Sequence, residues 1–380
     1  MPSNIKTSKD SVLRGMWRNA SKKWRFVFGL LAIVMLFNAS ILSLSTWYGW
    51  KHRDQPVVFG GTFIANYARY YNLDPNETLT AMINDLGIKH LRLVSYWSEH
   101  EKSQGVYDFT ELDQQFAIAN QYGAKVSLAI GLRQPRWPEC HLPTWAANQP
   151  ASYWEPPLMK YIAAVVERYR GNPALESYQL ENEFFLKAFG ECPDHNRDRL
   201  VAEFDLVKRI DSDHPLIVSR SNNALGWPIG APTPDIYGVS VYKRVWDKNF
   251  TKRYFEYPFP PQFYGSLAGI SQITQGRDLM IHELQAEAWG PTDIIYLSLE
   301  EQDKTMDATK LSERIDYGKA SGMKRIDLWG AEYWYWRMVD HKDPSLWNAA
   351  RAKISQYNTS SATIPQTCGV QTDIMTLDCN

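Results

Sequence analysis

Two apolar runs in this 380-residue chain end in acids. Residues 175–184, LESYQLENEF, close on Glu181, Asn182 and Glu183, and residues 278–284, DLMIHEL, close on His282 and Glu283. Short apolar runs of this kind read as buried strands. A core has no use for an unpaired carboxylate, so acids at the ends of such strands belong at a rim. Two carboxyl groups on separate elements can cleave an acetal. One, protonated, gives its hydrogen to the departing oxygen; the other, ionised, attacks the carbon or activates a water. The first must keep its proton near neutrality, which burial and a neighbouring negative charge both promote. For each glutamate alone, a loop position or an ordinary ion pair is an equal reading, so the elements that carry them decide.

From Val57 onward, apolar runs alternate with amphipathic helical stretches. The other runs are 57–63, 88–97, 124–132, 215–221, 235–242 and 323–330, which makes eight strand candidates in about 300 residues. Helical patterns such as ETLTAMINDLG, TELDQQFAIANQYG and PPLMKYIAAVVERYRG lie between them, and several stop at Gly, a common helix terminator. Strand and helix in regular succession give a parallel sheet. The count predicts an α/β fold, a (β/α)8 barrel over residues 55–357, whose site would lie at the C-terminal ends of the strands. An open doubly wound sheet is the alternative, but the first strand–helix turn lacks a phosphate-binding glycine pattern.

The segment YQLENEF (178–184) resembles the fourth-strand signature of glycoside hydrolase clan A, and its Gln-x-x-Asn-Glu form is similar to the β-galactosidase-type families. The stretch 93–131 carries a similar W-x-x-x-E-x-x-x-G-x-Y-D-F-x-x-L-D pattern, and MIHELQAEAWGP (280–291) resembles the clan's nucleophile strand. The resemblance spans roughly residues 57–336. It implies a retaining glycosidase with Glu183 as general acid/base and Glu283 as nucleophile. It further implies that Asn182 bonds the hydroxyl next to the reacting carbon, and that Arg92 and Tyr242 hold the nucleophile. Trp329 would be the platform beneath the sugar. Ordinary core packing is the alternative for Arg92, Tyr242 and Trp329. A catalytically silent carbohydrate-binding barrel and a transglycosylase using the same residues are the rival functions.

Glu287 competes with Glu283 for the nucleophile role. Glu283 directly follows LMIH, and strand alternation puts Leu279, Ile281 and Glu283 on one face, so Glu283 is preferred. Glu181, with the same parity as Glu183 but deeper, suits an ion pair. Further polar and aromatic residues follow strands two, three and eight: Trp97, Glu99, Arg133, Arg136, Trp137, His141, Trp145 and Glu332. No cofactor is implied, and the histidines lack metal-ligand spacing.

The formal net charge of −1 offers no basic face for nucleic acid. The 15 Trp, 21 Tyr and 15 Phe suit saccharide stacking or a large core. Residues 26–48 form an uncharged, mostly apolar stretch, long enough to cross a bilayer. The basic segment 1–25 before it predicts a signal anchor with a cytoplasmic N-terminus and the large domain outside; a cleaved signal peptide is the alternative. Outside the cytoplasm the four cysteines could pair as Cys140–Cys192 and Cys368–Cys379. Residues 358–380 read as a polar tail.

Overall fold

The computed structural model describes residues 22–187, 189–222, 230–248 and 250–362. Eight parallel strands close a barrel: β1 (Val58–Thr62), β2 (His90–Val94), β3 (Lys125–Ile130), β4 (Leu175–Leu180), β5 (Leu216–Asn222), β6 (Ile236–Val241), β9 (Asp278–Gln285) and β10 (Arg325–Trp329). A small antiparallel hairpin, β7 (Arg244–Trp246) and β8 (Tyr254–Glu256), is inserted after β6. The spatial order runs in sequence around the barrel, with β1 closing onto β10. Each expected run therefore matches one barrel strand, with β5 and β9 each running one residue further.

The crossover helices are α2 (Pro75–Asn84), α3 (Thr110–Gln121), α4 (Ala151–Tyr169), α5 (Arg197–Ile210), α6 (Pro261–Gln275) and α7 (Ala308–Ala320), with α8 (Ser345–Ala362) after β10. Local chemistry starts several of them. Asp74 caps α2 by accepting from the Glu77 amide at 2.8 Å, and Asp307 caps α7 through Lys310 at 2.8 Å. Their apolar faces, for instance Leu158, Ile162 and Val165 of α4, are fully buried on the strands.

The barrel is polar at both ends of its interior. At the N-terminal end of the strands, Arg325 reaches Glu176 at 2.7 Å and Asp327 at 2.8 Å, and His90 meets Glu176 at 3.0 Å. Ion pairing thus closes the base, and the opposite rim is left for the site.

Helix α1 (Lys22–Lys51) precedes the barrel and is long and apolar enough to cross a membrane. It also packs against the barrel domain. Its last turns pack on α6. Ser45 and Tyr48 are buried there, and His52 meets Gln272 at 3.2 Å. Cys140 and Cys192 form a disulfide. Cys368 and Cys379 lie outside the described residues, as do residues 1–21 and the end of the polar tail; α8 continues to Ala362.

Candidate active site

The fourth strand stops at Leu180, three residues short of Glu183. Glu181 and Glu183 adopt φ values of 53° and 44°, left-handed conformations that end the ladder and cost energy in a residue with a side chain. The parity expected between the two acids therefore does not apply, because neither is on the strand. Instead Glu181 faces sideways. It accepts from the backbone N–H groups of Leu132 at 2.7 Å and Arg133 at 2.9 Å, and from Arg199 at 2.9 Å. That clamp fastens the turn after β4 to the segment after β3.

Glu283 lies within β9, two residues before its end. The pairing of β6 with β9 slips here: Val239 faces Ile281, but Ser240 faces Glu283. This bulge breaks strict alternation. As a result, two consecutive residues reach neighbours across the barrel. His282 Nε2 meets the hydroxyls of Ser219 at 2.9 Å and Ser240 at 3.1 Å, while Glu283 reaches β2. Gly238 makes room for the imidazole, since a Cβ there would lie 2.8 Å from His282 Cδ2.

Around Glu283 the expected residues converge. Arg92 Nη1 donates to Glu283 Oε1 at 2.7 Å, and the Tyr242 hydroxyl donates to Oε2 at 2.8 Å. Arg92 also donates to Asn182 Oδ1 at 2.9 Å and to Gln179 Oε1 at 2.5 Å. Arg92, Asn182, Glu183 and Glu283 are all at least 96% buried. Glu183 is held differently. Its backbone N–H donates to Ser219 at 3.2 Å, and its Oε1 is buried without a hydrogen-bond partner. Burial, then the charges of Glu283 and Glu139, push its carboxyl well above the ordinary range; a hydrogen bond from Ser240 opposes them. The His282 imidazole is pushed the other way by burial and by Arg92, so it stays neutral.

Trp329 is joined to this group through Tyr242. It shares an apolar cluster with Ile64, Tyr96 and Tyr242, and its Nε1 donates to Glu287 at 2.9 Å. Glu287 lies beyond the strand, with both oxygens engaged by Arg136 at 2.6 and 2.7 Å. The Arg136 guanidinium in turn covers Trp329, 4.2 Å from its ring centre, and Tyr67 at 3.3 Å. Of the other rim residues, Glu332 accepts from the Ile64 amide at 2.7 Å. Trp97 is fully buried beside Trp145, at right angles to it, and the Trp145 indole donates to Glu101 O at 2.8 Å. These two tryptophans serve packing.

One residue of the cluster had no counterpart in the sequence reading. Glu139 is 3% exposed, accepts from Asn182 Nδ2 at 3.1 Å and lies 3.7 Å from Arg133. Burial pushes its carboxyl up to about 7, against the pull of Arg133. Its only visible signal is its neighbour Cys140, whose disulfide partner Cys192 follows Glu183 by nine residues.

The barrel is similar in fold to several solved structures. It is similar to a GH5_18 protein from Streptomyces cattleya solved with GlcNAc, with a TM-score of 0.55 and 13% identity, over 80% of this chain and 81% of that one. A GH5_18 protein from Bifidobacterium longum subsp. infantis gives 0.54 and 15%, over 80% and 79%. The β-galactosidase of the Antarctic haloarchaeon Halorubrum lacusprofundi gives 0.52 and 12%, over 80% of this chain but 58% of its own length. No family model matches the sequence, and no curated protein matches it. At these identities the likeness is one of fold: the chain has the eight-stranded barrel on which these clan A glycoside hydrolase structures are built.

Proposed function

We propose that the chain is a retaining glycoside hydrolase, with Glu183 as general acid/base and Glu283 as nucleophile. The observation that carries this is the unequal treatment of two buried carboxyls in one cluster. Glu283 receives Arg92 and Tyr242, donors that suit an anion. Glu183 has a raised affinity for its proton and a free oxygen with which to deliver it. That difference is the division of labour that glycosidic cleavage requires.

The catalytic cycle then has two steps. The Glu283 carboxylate attacks the anomeric carbon while Glu183 protonates the leaving oxygen. Water, deprotonated by Glu183, next releases the sugar from Glu283. Asn182 binds the hydroxyl adjacent to the reacting carbon, and Trp329 lines the sugar site. Glu283 is preferred to Glu287 because it lies within β9 and its charge acts on Glu183, whereas Glu287 lies beyond the strand in a bidentate ion pair with Arg136. The substrate is an oligo- or polysaccharide. The Streptomyces cattleya protein, solved with GlcNAc, supports a saccharide ligand for this barrel. α1 anchors the protein in a membrane with the N-terminus cytoplasmic and the barrel outside, in keeping with its apolar length, the basic residues before it and the disulfide.

The decisive experiment compares leaving groups. Glu183→Gln lowers kcat/KM by about 10³-fold for glycosides with alkyl or sugar leaving groups, and far less for 2,4-dinitrophenyl glycosides, which need no proton. A 2-deoxy-2-fluoro glycosyl fluoride labels Glu283 in the wild type. Wild-type turnover by Glu183→Gln, or a label on Glu287, overturns the assignment.

A further inference from the structure

The three acids Glu139, Glu183 and Glu283 come from the loop after β3, the turn after β4 and the end of β9, and the two-carboxylate cycle uses only the last two. Glu139 is not a stray core charge. Its backbone sits at φ 72°, a left-handed conformation that a glutamate adopts at a cost. It is held there from both sides. The Gln134 amide donates to its carbonyl at 2.8 Å, and the adjacent disulfide joins its segment to the loop after β4. Gly190 of that loop passes so close that a Cβ there would lie 2.8 Å from the Glu139 side chain. The fold presses this carboxyl into the site.

Its contact with Asn182 has a definite direction. Asn182 Oδ1 accepts from Arg92 at 2.9 Å and from Gln179 at 3.3 Å, so the amide nitrogen must face the other way. There its Nδ2 meets Glu139 Oε2 at 3.1 Å, and the Arg133 ion pair also falls on Oε2. One Nδ2 hydrogen serves Glu139, and the second remains for a ligand. Beside it, Glu139 Oε1 is an acceptor. A donor and an acceptor side by side match a group that both accepts and donates a hydrogen bond.

We infer that Glu139 is a positioning and specificity residue: with Asn182 it reads a hydrogen-donating substituent on the sugar carbon next to the reacting one. This rests on the glycosidase reading above and on the role given there to Asn182. A hydroxyl supplies both the donor and the acceptor, whereas the N–H of an acetamido group supplies the donor to Glu139 alone. A sugar lacking any donor at that carbon leaves Glu139 Oε1 without one, and a site built for a hydrogen bond rejects such an analogue strongly.

The test is a cycle between the enzyme and the substrate. Wild type and Glu139→Gln are assayed with 2,4-dinitrophenyl β-D-glucoside and β-D-galactoside, with their 2-deoxy counterparts, and with the 2-acetamido glucoside. In the wild type, loss of the 2-hydroxyl lowers kcat/KM by about 100-fold or more. In Glu139→Gln that penalty shrinks at least tenfold. Asn182→Ala shrinks it in the same way, and the double variant adds nothing further. Glu139→Asp gives the same readout should the Gln variant fold poorly. An equal 2-deoxy penalty in wild type and variants overturns the role of Glu139 while the glycosidase reading stands. A wild type that neither turns over any of these glycosides nor takes the fluoro-sugar label overturns both. Preferential turnover of the 2-acetamido substrate assigns the acceptor to an amide N–H, and of the hydroxy sugars to a hydroxyl; indifference between all three C2 groups overturns the inference.

Discussion

Arg92 and Glu283 form an ion pair of 2.7 Å, with the side chains 1% and 3% exposed. The same guanidinium holds Asn182 and Gln179, so one planar group ties the proposed nucleophile to the residue preceding the proposed acid. A lysine keeps the charge but cannot span three acceptors in one plane. Arg92→Lys therefore lowers kcat/KM by about 10²-fold through misplacement of Glu283 and Asn182. Arg92→Met leaves a buried carboxylate unpaired and costs about 3–5 kcal/mol of stability. Kinetics on aryl glycosides and urea denaturation of both variants check the pair of outcomes.

Tyr242 offers a gentler probe of the same carboxylate. Its hydroxyl donates to Glu283 Oε2 at 2.8 Å, on the side opposite Arg92. A hydrogen bond to a charged group contributes about 1.5–3 kcal/mol. Tyr242→Phe keeps the ring in its cluster and removes that bond. kcat falls by about 10- to 100-fold, with a small change in melting temperature. An unchanged kcat would detach Tyr242 from the reaction.

Gly238 tests how the acid is positioned. From β6 it allows His282 to reach Ser219, and Ser219 accepts the Glu183 amide at 3.2 Å. Gly238→Ala pushes the imidazole out of this chain, lowering both melting temperature and kcat. His282→Ala empties the space that the new methyl would need. The double variant Gly238→Ala/His282→Ala is then no worse than His282→Ala alone. Additive losses would show that the glycine acts elsewhere.

The barrel was legible because each strand is a short apolar run and most have a helical pattern behind them, and that periodicity survives in a single sequence. The rim acids were legible because a carboxylate at the end of such a run conflicts with burial. What failed was strand phase. Alternation assumes an uninterrupted ladder, and neither acid obeys it: Glu183 lies beyond β4, and Glu283 follows a bulge that lets His282 point inward too. Arg136 and Glu287 are 151 residues apart, so nothing local reveals that they pair over Trp329. Glu139 sits in RQPRWPEC, a segment with neither strand nor helix period. Its place follows from a disulfide and a turn, which only the folded chain brings together.

Glu332 supplies a pH test that is separate from turnover. Its buried carboxyl is pushed up to about 7, by burial first and then, against the opposing pull of Arg136, by Glu287. An unfolded glutamate loses its proton near its ordinary value of about 4.3. Between these two values the folded protein binds a proton that the unfolded chain has released, so stability falls as pH rises through this window and levels off above 7. Glutamine cannot titrate, and its carbonyl keeps the bond from the Ile64 amide, now 2.7 Å. Relative to wild type, Glu332→Gln is therefore more stable at pH 8 than at pH 5, by up to about 3 kcal/mol. Urea denaturation of both proteins at the two pH values measures the difference. An equal offset at pH 5 and pH 8 would mean that Glu332 is already ionised in the folded protein, held so by Arg136.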